Sequence, residues 1–177
     1  MGRTLLLLTC YHALLFRRFY FQNSYVYARS EALEQGFASS QLLGAALRAG
    51  RRVDDRYFFP DYRALPVLSG YYPPHLVQAW IGSFLSLNHA WILYSLTMVS
   101  HFWLSSVSVY ILAIHMGYAP LIAGFASVTL SSLGYAMKQN SCITYTCAWV
   151  PVWLLSLQAG NWCLAGTSLG MMLLAGY

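Results

Sequence analysis

The stretch NHAWILYSLTMVSHFWLSSVSVYILAIHM, residues 88–116, decides the fold class of this chain. It contains no Asp, Glu, Lys or Arg, and it is longer than the roughly twenty apolar residues that a helix needs to cross a bilayer. Gly117 and Pro120 follow directly, and both residue types are typical of helix ends. The stretch therefore predicts a long membrane-spanning helix.

The sequence around this helix has the same apolar character. Between residues 64 and 177 the only Asp, Glu, Lys or Arg is Lys138. Charged residues make up 8% of the chain, whereas a soluble domain uses about 25% to cover its surface. We therefore predict an all-α fold, a polytopic transmembrane helical bundle surrounded by membrane lipid.

Prolines, glycines and polar residues divide the apolar region, residues 75–177, into predicted helices. The predicted ranges are 75–85, 88–116, 121–136, 142–157 and 162 onward. The first follows Pro73-Pro74 and is too short to span, so we predict a re-entrant or interfacial helix there and at most five spanning helices. Five Trp and Tyr residues near the predicted helix ends suggest interfacial belts: Tyr118, Tyr135, Tyr145, Trp149 and Trp162.

The first 74 residues divide into two parts. Residues 1–21 resemble a retained signal-anchor or first transmembrane helix, because no small-residue cleavage site follows the apolar run; the alternative is a true start upstream of Met1. Residues 22–74 form a polar loop. Within it, Ser40–Arg48 carries Leu42, Leu43, Ala46 and Leu47 on one face, which predicts an amphipathic juxtamembrane helix that Ala49-Gly50 can end.

The net charge of +5 does not indicate nucleic-acid binding, because such proteins carry their basic residues on a polar face of a soluble fold. Contact with anionic lipid is the better explanation of this charge. The four cysteines, Cys10, Cys142, Cys147 and Cys163, form no CxxC pair, so we expect buried small hydrophobic side chains rather than a zinc site or disulfides.

The loop carries the residues that could do chemistry. Asp54 and Asp55, followed by Arg56, could bind a divalent metal ion or accept a proton from a hydroxyl group. The alternative is a solvated loop in which Asp and Arg neutralise one another. Lys138, alone in an uncharged region, indicates either an anionic partner or a cation at a helix end.

The order of several motifs resembles the YfhO-like branch of the C superfamily of membrane glycosyltransferases. The motifs are Arg48-Ala49-Gly50, Asp55-Arg56-Tyr57-Phe58-Phe59-Pro60, Gly70-Tyr71-Tyr72-Pro73-Pro74, the small-residue-rich Ser105–Gly117, Leu133-Gly134-Tyr135 and Ala148-Trp149-Val150-Pro151-Val152. The ending Leu173-Leu174-Ala175-Gly176-Tyr177 resembles a family segment that continues as His-Pro-Gln. We therefore expect that the chain is truncated at its C-terminus. The missing C-terminal helices of the same protein would be its partner, and the fragment alone would be inactive.

The resemblance implies transfer of a sugar from a polyprenyl-phosphate carrier to an extracytoplasmic acceptor in a bacterial cytoplasmic membrane. It implies Asp54 or Asp55 as the catalytic base or the ligand of a divalent metal ion, with Glu31 or Glu34 as alternatives. Arg56, Tyr72 and Lys138 would bind the substrate. The competing hypothesis is a non-enzymatic membrane component, such as a transporter half or an assembly subunit.

The two indications of topology disagree. The resemblance places the first loop outside the cytoplasm, whereas the loop holds most of the basic residues and the positive-inside rule would place it in the cytoplasm. We expect the outside location.

Overall fold

The computed structural model describes residues 2–15, 17, 36–50, 72–132 and 141–175, and within these ranges every regular element is a helix. There are seven: α1 (Gly2–Leu15), α2 (Ala38–Arg48), α3 (Pro73–Gly82), α4 (Leu87–His115), α5 (Pro120–Ser132), α6 (Ser141–Gln158) and α7 (Trp162–Ala175). The all-α prediction is confirmed for the described residues.

The long helix α4 is the centre of the structure. It packs against α1, α3, α5 and α6, while α2 packs on α3 and α7 packs on α6. One side of α4 contributes Trp91, Tyr94 and Met98 to an aromatic core, and the other side contributes Tyr110 to a smaller core with Leu8. A helix packed on several sides needs apolar residues around most of its circumference, which explains why residues 88–116 show no polar face.

Proline and glycine set the helix ends. Pro73 and Pro74 occupy the first two positions of α3, where the missing N–H groups would have had no partner within the helix. At the C-terminal end of α4, Gly117 has a φ of 84°, a conformation that favours glycine. The Tyr118 N–H then donates a hydrogen bond of 3.0 Å to the Ala113 carbonyl, which ends the helix. The predicted breaks at 73–74 and 117–120 are therefore where the structure has them.

Helices α2 and α3 approach each other at the level of the backbone. A methyl group on Gly44 would overlap the Ala79 carbonyl oxygen and lie 3.0 Å from Ser83 Cβ. Ser40 Oγ donates a hydrogen bond of 3.1 Å to Gln78 Oε1 across the same contact. The packed face of α2 is therefore formed by Ser40, Leu43 and Gly44.

The predicted apolar residues of α2 lie in different surroundings, because Leu43 is buried while Leu42 is 51% exposed. Small residues decided the packed face, since they allow the close approach to α3. The prediction of buried cysteines is wrong for Cys10, Cys147 and Cys163, which are all exposed on an exterior that is largely apolar.

By length and composition, one helix among the described residues is able to cross a membrane: α4, with a mean hydropathy of 1.5 over its most apolar window. Two further apolar segments, Pro120–Leu130 and Trp162–Ala175, are shorter than such a span requires. Helix α3 is separated from α4 by the turn at residues 83–86, as the sequence predicted.

Candidate functional site

Tyr72 is the one predicted substrate-binding residue that lies within the described part of the chain, and it is fully buried at the junction of α3, α4 and α6. It immediately precedes Pro73, in extended backbone with φ −71° and ψ 115°. Proline restricts the residue before it to such a conformation. This conformation turns the chain into α3 and directs the phenol ring toward the middle of α4.

The Tyr72 hydroxyl links side chains from α4 and α6. Trp149 Nε1 donates to the Tyr72 oxygen at 2.7 Å, and the same oxygen is hydrogen-bonded to His101 Nε2. His101 Nδ1 lies 2.6 Å from the Thr97 carbonyl oxygen. A carbonyl accepts only, so we assign the proton to Nδ1, which leaves Nε2 of a neutral imidazole as an acceptor.

This assignment gives the hydrogen bonds one direction. Trp149 donates to Tyr72, Tyr72 donates to His101, and His101 donates to the Thr97 carbonyl. Each of the three side-chain groups then has the partner that burial requires. We call Tyr72, His101 and Trp149 the Tyr72 triad.

In this arrangement the Tyr72 phenol keeps its proton, because it is the donor to His101. With these proton positions, the Tyr72 triad links α4 and α6 to the residue before α3 through hydrogen bonds between uncharged side chains.

Aromatic rings enclose the triad. Tyr145 of α6 stacks on Tyr72 with ring centroids 5.0 Å apart, and it lies 4.5 Å from the His101 ring. His75 of α3 lies 6.2 Å from the Tyr145 ring. The structure therefore places Tyr72, near the end of the polar loop, in a packed aromatic interior.

A second histidine makes a similar arrangement on the other side of α4. His12 Nδ1 lies 2.8 Å from the Leu8 carbonyl, and its Nε2 is 3.2 Å from Ser106 Oγ. Ser106 and Ser127 exchange hydrogen bonds with each other's backbone carbonyls, at 3.1 and 2.6 Å. This contact joins α1, α4 and α5 and explains His12 as a structural histidine.

The other candidate site residues lie outside the described residues. These are Asp54 and Asp55, predicted as catalytic or metal-binding, and Arg56 and Lys138, predicted to bind substrate. The alternatives Glu31 and Glu34 also lie there. Within the described residues, no three His, Cys, Asp or Glu side chains are grouped so that they could hold a metal ion.

Sequence reasoning missed the partners of Tyr72 and misplaced two of its neighbours. Tyr145 and Trp149 were predicted to lie in an interfacial belt, but Tyr145 is fully buried and Trp149 is half-buried with its N–H bonded to Tyr72. Belt residues and buried polar aromatics have the same composition signal. Tyr118 and Trp162 are exposed at helix ends, as a belt requires.

No protein-family model, curated protein or solved structure matches the chain. Its function therefore has to be argued from the chemistry of its own residues.

Proposed function

We propose that the chain is a multi-pass integral membrane protein that contributes to transfer of a sugar from a polyprenyl-phosphate carrier. The observation that carries the membrane location is the exposed apolar surface of the helices. Leu121 and Phe125 on α5 are 86% and 73% exposed, and Trp162 at the start of α7 is 75% exposed. Burying a side chain of this kind is worth about 1.5–3 kcal/mol, so an aqueous surface of this composition is unfavourable and a lipid surface is not.

The charge distribution supports the same location. Within the described residues, the only Asp, Glu, Lys or Arg side chains are those of Arg3, Arg17 and Arg48. None of them lies within α3 to α7, which carry the apolar exterior. A bilayer is the solvent that such a set of helices requires.

The proposal of sugar transfer rests on the resemblance of the motifs to membrane glycosyltransferases, and contacts at the two ends of the loop that carries Asp54 and Asp55 support it. Tyr72 is hydrogen-bonded inside the helices, and at the other end of the loop Arg48 Nη1 donates to the Ser83 carbonyl at 2.8 Å. Both ends of the segment that carries Asp54 and Asp55 are therefore attached to the α3–α4 region. A base has to be held close to the atom that it deprotonates, and attachment of the loop at both ends favours this.

The proposed reaction follows from these groups. Asp54 or Asp55, acting alone or through a bound divalent ion, would take the proton of an acceptor hydroxyl. The hydroxyl oxygen would attack the anomeric carbon, and the bond to the carrier phosphate would break. Arg56 or Lys138 would hold the departing phosphate through charge-assisted hydrogen bonds.

The second candidate function is a non-enzymatic membrane component. The burial of Tyr72 favours it, because a fully buried residue whose polar group is already bonded to His101 and Trp149 is not presented to a substrate. In that case the triad only fastens the loop to the helices.

The test uses the protein expressed from its complete coding sequence and reconstituted in vesicles with a panel of polyprenyl-phosphate hexoses and pentoses as donors and a hydroxyl-bearing acceptor. Release of the free carrier phosphate is measured for the unaltered protein and for Asp54→Asn and Asp55→Asn. Loss of a general base lowers the rate by about 10²–10⁴-fold, and we expect that loss in one of the two variants. Asp61→Asn, a change of the same kind in the same loop, is the control.

If Asp54→Asn and Asp55→Asn keep normal rates while Glu31→Gln or Glu34→Gln abolishes release, the base lies nearer the first helix. If all four variants release carrier phosphate at the rate of the unaltered protein, none of these four carboxyl groups is the base. If the unaltered protein itself releases none, the non-enzymatic function replaces the proposal.

A further inference from the structure

Helix α3 and the turn after it have their large apolar side chains on the outside. Positions 77, 80, 81 and 84 follow helical spacing and are 57%, 51%, 39% and 59% exposed; they are Val77, Trp80, Ile81 and Phe84. The opposite face is buried and consists of polar or small residues, His75, Gln78, Ala79 and Gly82. A helix at an aqueous surface has the reverse arrangement.

The two ends of α3 lie at different levels along α4. At the N-terminal end, Tyr72 is bonded to His101, the middle residue of α4. At the C-terminal end, the turn at residues 83–86 leads directly into Leu87, the first residue of α4. Helices α3 and α4 are packed together, so α3 runs beside the first half of α4, which is about 21 Å long at 1.5 Å per residue.

We propose that α3 is a re-entrant half-helix, with its N-terminus near the middle of the bilayer and its outer face against the acyl chains of one leaflet. This rests on the membrane location proposed above: if α4 crosses the bilayer, its middle residue lies near the mid-plane. Because α3 has only ten residues, it is too short to continue to the other side.

The N-terminus of α3 has features that suit a position near the middle of the bilayer. Non-helical backbone is tolerated inside the hydrocarbon region only where protein buries it, and Tyr72 is fully buried. A helix begins with four N–H groups that lack partners within the helix, and Pro73 and Pro74 remove two of them. The usual cost of a helix N-terminus in an apolar medium is thereby reduced.

The C-terminal end of α3 has features typical of the boundary between the membrane and water. The Arg48 guanidinium donates to the Ser83 carbonyl and lies 6.0 Å from the centroid of the Phe84 ring. It satisfies a carbonyl at the end of α3 and places a positive charge beside an aromatic ring, the combination typical of the headgroup level. The outer face therefore runs from the headgroups at Phe84 to greater depth at Val77.

Spin labels measure this depth directly. Single cysteines replace Val77, Trp80 or Phe84 in a background where the native cysteines are serine, the protein is reconstituted in phosphatidylcholine–phosphatidylglycerol vesicles, and collision with oxygen and with a water-soluble nickel chelate is recorded. Labels at Leu87 and Leu96, both exposed on α4, calibrate the shallow and deep levels. The background must keep the thermal unfolding curve of the unaltered protein.

At Val77 we expect frequent collision with oxygen, rare collision with the nickel chelate, and a depth near that of Leu96. The label at Val77 should lie about 10 Å deeper than the label at Phe84, because the two positions are seven residues apart at 1.5 Å per residue. Equal depths at Val77 and Phe84 would show a helix lying flat in the interface and would overturn the proposal while leaving the membrane location intact. Low collision with both reagents on α3 alone would show a protein partner in place of lipid. High nickel collision at Leu96, the deep position on α4, would overturn the membrane location itself.

Discussion

The hydroxyl of Tyr72 connects groups that lie 29 and 77 residues away in the sequence, His101 and Trp149. Replacing Tyr72 with Phe keeps the ring and its stacking on Tyr145 but leaves the N–H of the half-buried Trp149 and the buried imidazole of His101 without their partner. A buried polar group deprived of its partner costs about 1–3 kcal/mol. We therefore expect Tyr72→Phe to lower the free energy of unfolding by about this amount, measured by chemical or thermal unfolding in detergent.

Tyr118→Phe is the matched control for this change. Tyr118 is 51% exposed at the end of α4, so loss of its hydroxyl leaves no buried group unsatisfied. Equal stability of the two variants would contradict the hydrogen bonds of the Tyr72 triad.

The sequence pointed to Tyr72 only because the motif Gly70-Tyr71-Tyr72-Pro73-Pro74 resembles a family loop. It contained no indication of His101 or Trp149 as partners, since pairing across three elements leaves no periodic pattern in a single chain. His12 and His101 both make hydrogen bonds to side chains of other elements, Ser106 and Tyr72.

At the scale of the elements, the contact of α2 with α3 depends on the absence of a side chain at Gly44. A methyl group there would collide with the Ala79 carbonyl oxygen, and backbone is unable to move aside as a flexible side chain does. We expect Gly44→Ala to lower the free energy of unfolding by about 1–3 kcal/mol, the usual cost of overpacking. Unfolding in detergent, followed by circular dichroism, measures it.

The same change at Gly166 in α7 should have the opposite sign. Nothing lies within 4 Å of a methyl group at that position, so only the better helix propensity of alanine acts, worth up to about 1 kcal/mol. If Gly44→Ala were as harmless as Gly166→Ala, the close contact of α2 and α3 would be wrong.

Most helix ends were readable from the sequence because proline and glycine act locally. The predicted helix at 88–116 is α4 within one residue at each end, and the predicted end at Ala49-Gly50 is confirmed by a φ of 64° at Gly50. The direction in which a helix faces was not readable. The stripe at Val77, Trp80, Ile81 and Phe84 is visible in the sequence, but only packing shows that its opposite face, with Gln78 and Gly82, is the buried one.

At the scale of the whole molecule, the proposed membrane location predicts which segments share a side. The hydrogen bond from Arg48 to the Ser83 carbonyl places the end of α2 beside the turn between α3 and α4. If α4 crosses the membrane, the turn at residues 116–119 lies on the opposite side. The two turns therefore test the crossing and the orientation together.

Asn88 and Tyr118 are exposed at the two ends of α4 and suit labelling by a membrane-impermeant maleimide. In a background without native cysteines, we expect Asn88→Cys to react in intact cells and Tyr118→Cys to react only after lysis, because the resemblance places the first loop outside. Reaction of both from one side would contradict a membrane-spanning α4. The reverse result, with Tyr118→Cys labelled in intact cells and Asn88→Cys only after lysis, would keep the crossing but place the arginine-rich loop in the cytoplasm, as the positive-inside rule predicts. Asp54 and Asp55 would then lie on the wrong side for an extracytoplasmic acceptor, and the proposed transferase would lose its catalytic base.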